Sequence, residues 1–514
     1  MKGVLFLDIS LENEKYCSLK RTYDTTVEEC VEAELSLPEY MPEILRIIKS
    51  QAIPKINSFN TVGERVTVDG TCELRMIYIG NDNCIYSFSQ SRNFTRYCEN
   101  SAFLSAEDVK VKTTVNYVNC RATNTKRAEI KSGIGISITA LGKIEENILL
   151  MGKTPGIEEK IMNLSVMSLG CRKSKMFSMS DTFELEDNTA AFLVRSNAVS
   201  VLGEVRKISN KVMIKGETIV EIAYVPNEDK TTICNLRRVL PINQILEFEG
   251  MDERFTGDVT LDVTAVDVII KNDSSGDGKS LDVAVSVNAG ITMWEQKELQ
   301  IITDAYAIGG AIDLSYKKMK FYSALDAVRD TYIYKNSIDV SKTGASSLLD
   351  AYCEEGEPTL SFGDGVIAVC GSLKVTLLLK DASENIVTTE KMLDYRYERK
   401  AECCNQETDC VPCVSVSSFE CLQGNKDTID VKAELQINCS VFGETEIDIV
   451  SDICEGISEE KNRNSAITVY FPKCEETLWD IAKRYNTTVE SIMSENNIEG
   501  DTTGDITMLF IPSA

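Results

Sequence analysis

The 514-residue chain contains no histidine. That removes every Ser-His-Asp and Cys-His nucleophile system, every imidazole metal ligand and the usual proton shuttle of neutral pH. Positive charge is scarce too: 54 Lys and Arg stand against 80 Asp and Glu, a formal charge of −26. Such a surface repels phosphate backbones and anionic lipid, which argues against nucleic-acid or membrane-surface binding. No run approaches the roughly 20 apolar residues of a membrane-spanning helix. At the N-terminus only Val4 to Leu7 are apolar before Asp8, too few for a signal-peptide core of about 7–15 residues. The expected location is therefore a cytosol, where thiols stay reduced.

What is present is ordinary for a soluble globular protein, with 43% hydrophobic and 26% charged residues. At about 150 residues per domain the length suggests three or four domains. Among the 18 cysteines, Cys72, Cys120 and Cys370 sit in strand-like alternations that suit small buried hydrophobes. The densest run holds Cys403, Cys404, Cys410 and Cys413, with a C-x-x-C at its end. It is a weak metal candidate, because no second C-x-x-C stands at zinc-site spacing. No metal and no cofactor are assigned. Gly278-Lys279-Ser280 ends like a phosphate loop, yet Asp273 fills the first-glycine position. The residues that follow, Leu281-x-Val283-x-Val285, read as a strand, so no helix N-terminus would cradle phosphate. Carboxylates abound, but an arbitrary pair is no evidence for glycoside hydrolysis. No catalytic residue is predicted.

One glycine-centred pattern recurs three times. Its copies are Val66-x-Val68-x-Gly70, Val212-x-Ile214-x-Gly216 and Ile367-x-Val369-x-Gly371. Each is followed by apolar residues at offsets +4, +6 and +8. A second alternating run follows each glycine after 60, 67 and 60 residues, beginning at Ile130, Val283 and Val431. Period-two alternation around a glycine describes strands bent at that glycine. The expected fold is mainly β: three β-rich repeats of sandwich or barrel type, then a small α+β module. The expected units are residues 1–162 (an N-terminal segment plus the first repeat), 163–314 and 315–457. A polar linker over 458–464 then leads to the module at 465–514. Helices are expected at Thr25–Leu35 and Pro42–Lys49, where Ile44, Ile47 and Ile48 have helical spacing.

In the last unit, Ile467-x-Val469-x-Phe471 reads as a strand. Thr477 caps a helix with Asp480 at N3, and Leu478, Ile481, Ala482 and Tyr485 form its apolar stripe. Thr487-x-x-Glu490 looks like a second capping box, and a strand closing at Pro512 completes a βααβ module. The module carries three basic and eight acidic residues, a net charge of −5.

The run Thr477-Leu478-Trp479-Asp480-Ile481-Ala482, then Thr487-Thr488-Val489-Glu490, Asn496-Asn497-Ile498 and Ile511-Pro512, resembles a LysM domain. The three glycine-centred units resemble SPOCS repeats, the domain named for spore-coat assembly. Repeats followed by one LysM are the architecture of coat-assembly proteins of spore-forming anaerobes. That resemblance implies a non-enzymatic scaffold in the mother-cell cytosol at the forespore surface. Its LysM would bind a coat morphogenetic ATPase, the stage IV sporulation protein A, and help it encase the forespore. The partner surface is expected on Trp479, Ile467, Lys483 and Glu476. LysM domains also bind peptidoglycan glycans, here through loops containing Glu475, Thr477, Ile498 and Gly504, so a glycan-binding envelope protein is the alternative. Glu475-Glu476 replaces the family's usual Gly-Asp, and Gly504-Asp505 its usual Gly-Gln. Both changes favour a protein partner.

Overall fold

Alternating apolar and polar side chains demand strands with one buried face, and strands account for most of the described residues. The computed structural model describes residues 12–150, 155–186, 188–208, 210–248, 254–272, 278–308, 310–363, 365–400, 407–409, 413–425, 427–456, 467–473, 476–498 and 507–512.

The first repeat runs β1 (Glu12–Ser36), β2 (Ile44–Val62), β3 (Arg65–Gly80), β4 (Ile85–Glu99), β5 (Ala106–Asn124) and β6 (Arg127–Leu150). The long β6 is flanked by β1 and β5, while β3 is flanked by β2 and β4, all antiparallel. The second repeats that plan with β7 (Ile157–Glu184), β8 (Ala190–Ile208), β9 (Lys211–Pro226), β10 (Cys234–Glu247), β11 (Phe255–Asn272) and β12 (Gly278–Ala307). There β12 lies between β7 and β11, and β9 between β8 and β10. The third has β13 (Ile312–Asp339), β14 (Ala345–Glu355), β15 (Thr359–Gly363), β16 (Val366–Asp381), β17 (Ile386–Lys400), β18 (Glu407–Asp409), β19 (Cys413–Asn425) and β20 (Thr428–Glu455). Here β20 pairs with β13 and β19, and β16 with β14 and β17. In each repeat the long and short sheets face each other across a buried core; in the first this joins Ile130, Ile134 and Ile136 to Val66, Val68 and Leu74.

The three motif glycines occupy one position, the middle strand of each short sheet. Gly70 pairs with Phe94 and Gly371 with Tyr395. A Cβ on Gly70 would lie 2.2 Å from the Phe94 ring, and one on Gly371 would lie 2.4 Å from the Tyr395 hydroxyl. The glycine makes room for an aromatic ring across the ladder. In the second repeat the obstacle is backbone: a Cβ on Gly216 would lie 2.5 Å from the Val201 carbonyl oxygen. Gly216→Ala is therefore expected to destabilise by about 1–3 kcal/mol through overpacking. Gly363→Ala, with nothing within 4 Å of its Cβ, is the matched control, and the two thermal midpoints should separate.

Both expected N-terminal helices are strands. Around Thr25–Leu35, Val31, Ala33 and Leu35 are buried at period two, opposite β6. Residues 44–49 mislead for a different reason: β2 carries bulges at Ile44/Arg46 and Ile47/Lys49. Each bulge inserts one residue and resets the alternation. Ile44 and Ile47 thus pack on the first repeat's core and Ile48 on a neighbouring cluster, at spacings that imitate a helix.

The repeats pack against one another through the ends of their long strands. Tyr16 and Ile148 of the first, Val166, Leu299 and Ile301 of the second, and Met319, Phe321 and Ile449 of the third form one core. Gly278 to Ser280 open β12 as a strand. Among the described residues, no helix is long and apolar enough to cross a membrane.

Candidate functional site

The C-terminal module consists of β21 (Ile467–Tyr470), α1 (Leu478–Tyr485), α2 (Val489–Asn496) and β22 (Leu509–Pro512), with β21 and β22 antiparallel. Thr477 caps α1 through the expected capping box with Asp480. The second cap stands one residue later than expected: Thr488, not Thr487, accepts from the Ser491 amide. Thr487 is buried and its amide is bonded to the Ala482 carbonyl, so it belongs to the end of α1. Leu478, Ile481, Ala482, Ile492, Leu509 and Ile511 form the module's core. Tyr306 at the end of β12 completes that core from outside the module.

Asp304, also on β12, organises the joint. Its carboxylate accepts from the Trp479 indole N–H at 2.8 Å, from Lys483 Nζ at 2.6 and 2.8 Å, and from the Tyr316 hydroxyl at 3.0 Å. The Tyr306 ring meets Trp479 edge-to-face at 4.9 Å, and its hydroxyl donates to the Thr487 carbonyl at 2.7 Å. Burial pushes the Asp304 carboxyl up, but Lys483, Trp479 and Tyr316 outweigh it and hold it below the ordinary carboxylate value of 3.8. Its contribution is thus complete above that value and lost only as pH falls through the lowered one. Glu158, raised by burial and by Glu490 of α2, is the other shifted carboxyl at this joint.

The remaining expected residues divide in two. Glu476 is committed inside the module: it accepts from the Tyr470 hydroxyl at 2.7 Å and the Lys473 amide at 3.1 Å, and pairs with Arg484 at 2.7 Å. Thr477 is spent on the cap, and Ile498 packs against the core. Glu475 and Gly504 lie outside the described residues, as do Cys403, Cys404 and Cys410. Cys413 opens β19, where burial raises its thiol. Among the described residues no group of His, Cys, Asp or Glu is arranged to hold a metal.

Ile467 stands apart. On the sheet side away from the helices, Ile467, Val469, Phe471, Met508 and Phe510 are 47, 50, 67, 42 and 39% exposed. Val469 pairs directly with Phe510, and exposed Phe471 and Met508 follow just beyond the paired residues, extending the apolar face. Expectation had reached Ile467 alone; the alternation Ile467-x-Val469-x-Phe471 already implied that the three share a side.

A cavity of about 830 Å³ is lined by all three repeats. Arg195 and Lys49 both approach the Tyr352 ring, at 5.0 and 5.5 Å. Lys49 also pairs with Glu390 at 2.7 Å. Lys374 pairs with Glu390 at 3.1 Å and Arg195 with Glu221 at 3.8 Å, whereas Glu355 accepts the Val416 amide and burial raises its carboxyl.

Residues 43–123 and 193–271 match the family model described as SipL, SPOCS domain, and residues 473–506 match the LysM domain. The two SPOCS matches cover equivalent strands, from β2 to β5 and from β8 to β11. The third repeat lies outside them but has the same pairing around its long and short sheets. No curated protein and no solved structure matches the chain. Both matched families are non-catalytic binding domains, and the first points to protein interaction in sporulation. The chain thus carries two SPOCS-domain matches and a C-terminal LysM match, the domain content of a SipL-like protein.

Proposed function

We propose that the chain is a non-enzymatic adaptor in spore-coat assembly. It works in the mother-cell cytosol, and its LysM module binds the coat morphogenetic ATPase at the forespore surface. The observation that carries this is the uncovered apolar face of β21 and β22. Contiguous exposed apolar patches on soluble proteins mark interaction sites. A module of net charge −5 suits a partner whose apolar site has a basic rim, so that charge sets specificity. A glycan reading is less well supported, because Thr477 and Glu476, in the loop before α1, already spend their polar groups inside the module. Val469→Glu and Phe510→Glu in the full chain are expected to weaken ATPase capture by at least about tenfold, since each buries a charge in the contact. The circular dichroism of the variants should be unchanged. Undiminished capture by both would sink the reading, and sedimentation with peptidoglycan would favour the glycan alternative.

A further inference from the structure

We infer that Asp304 latches the LysM module to the second repeat, so that Trp479 and Lys483 serve an internal joint while the β21–β22 face is presented outward in one fixed pose. The joint itself is independent of the partner; only the part about presentation rests on the adaptor reading above.

The side chains divide the labour. Asp304 offers two oxygens, and the module supplies the indole N–H and the ammonium that fill them. An ionised acceptor makes such bonds roughly twice as strong as neutral ones. Tyr316 of the third repeat binds the same carboxylate, so one residue joins both later repeats to the module. Tyr306 adds shape: its ring lies against Trp479 and within the module's core cluster. Trp479 stands one position off the apolar stripe of α1, about 100° around the helix. It therefore stands at the edge of the stripe, partly buried against the core cluster that Tyr306 shares. The structure spends it on β12. The five apolar residues of the sheet face take no part in this contact and stay exposed with the latch closed.

The chain has two tryptophans, Trp294 and Trp479, so a Trp294→Phe background makes Trp479 the only indole reporter. In the full-length protein, Asp304→Ala is expected to red-shift the Trp479 emission and raise its quenching by acrylamide, with far-ultraviolet circular dichroism unchanged. Asp304→Asn keeps an acceptor for the indole but loses the charge facing Lys483, and should fall between. Lys483→Ala should move the signal in the same direction. Combined with Asp304→Ala it should add little, because both remove one interaction. An unchanged Trp479 signal in Asp304→Ala, or fully additive effects of the two changes, would overturn the latch. None of these measurements contains the partner. A shifted signal together with undiminished ATPase capture by Val469→Glu and Phe510→Glu would leave the latch standing and remove the adaptor reading.

Discussion

Tyr16→Ala is expected to cost about 3–5 kcal/mol, the range for deleting a large buried aromatic. Tyr16 is 1% exposed and stands where all three repeats meet, with its ring 5.3 Å from Phe321. Its hydroxyl accepts the Tyr322 amide at 3.0 Å across the joint between the first and third repeats. Removing the ring opens a cavity that neighbours from three different chain segments cannot jointly close. Tyr16→Phe keeps the volume and loses one hydrogen bond, for about 1 kcal/mol. Burial also pushes the phenol from 10.0 up to about 12. A raised value means that the neutral form is favoured by folding. The contribution is therefore intact below pH 10 and is lost as pH rises through about 12. Denaturant unfolding of the full chain at pH 7 and at alkaline pH reads both effects. A loss below about 1 kcal/mol in Tyr16→Ala would mean that the repeats do not share one cooperative core.

Arg172→Met should cost about 3 kcal/mol, near the lower end for breaking a buried ion pair from one side. Arg172 on β7 meets Asp108 on β5 at 2.7 Å, with side chains only 6 and 9% exposed. Its guanidinium also bonds Thr292, and Asp108 takes a further bond from Ser174 at 3.1 Å. The substitution leaves a desolvated carboxylate with that one hydroxyl. Replacing both members, as Arg172→Met with Asp108→Leu, removes the orphaned charge and should recover most of the loss. Burial first, and then Arg172, hold the Lys110 ammonium below its ordinary range. In Arg172→Met the lysine should therefore titrate higher than in the parent. A midpoint unchanged by the single substitution would show that the first two repeats do not depend on this pair.

These joints were not legible in the sequence, although the repeats they join were. Gly70, Gly216 and Gly371 with their flanking alternation could be aligned because each strand carries its own period of two. What a strand pairs with at a distance leaves no such local mark. Asp304 is one carboxylate among 80 acidic residues, and nothing in Thr303-Asp304-Ala305 distinguishes it until β12 carries it to α1. Trp479 stands beside the helical stripe of α1, a position that marks the edge of the module's core but not what it meets there. The bulges in β2 had the opposite effect, giving Ile44, Ile47 and Ile48 a spacing that belongs to helices. Capping was read correctly where Thr477 and Asp480 satisfy each other locally. It slipped by one at Thr487, where tertiary contact with Tyr306 decides.

The course of β12 bears on how the molecule would carry a mechanical load. Its 30 residues, at about 3.3 Å each, make a strand up to roughly 100 Å long. It is paired with β7 from Ser280 opposite Glu184 to Ala307 opposite Ile157. Asp304 sits near one tip, and Glu455, the last residue of β20, pairs with Ile312 where β13 begins. A pull on the LysM module would therefore enter two long strands lengthwise, through the carboxylate in one and through the chain itself in the other. Inter-strand hydrogen bonds lie across that direction, so they would resist by shearing together rather than opening one after another. On this geometry the load crosses from module to β12 through the few side chains of the Asp304 and Tyr306 joint, and its rupture would leave both long sheets whole.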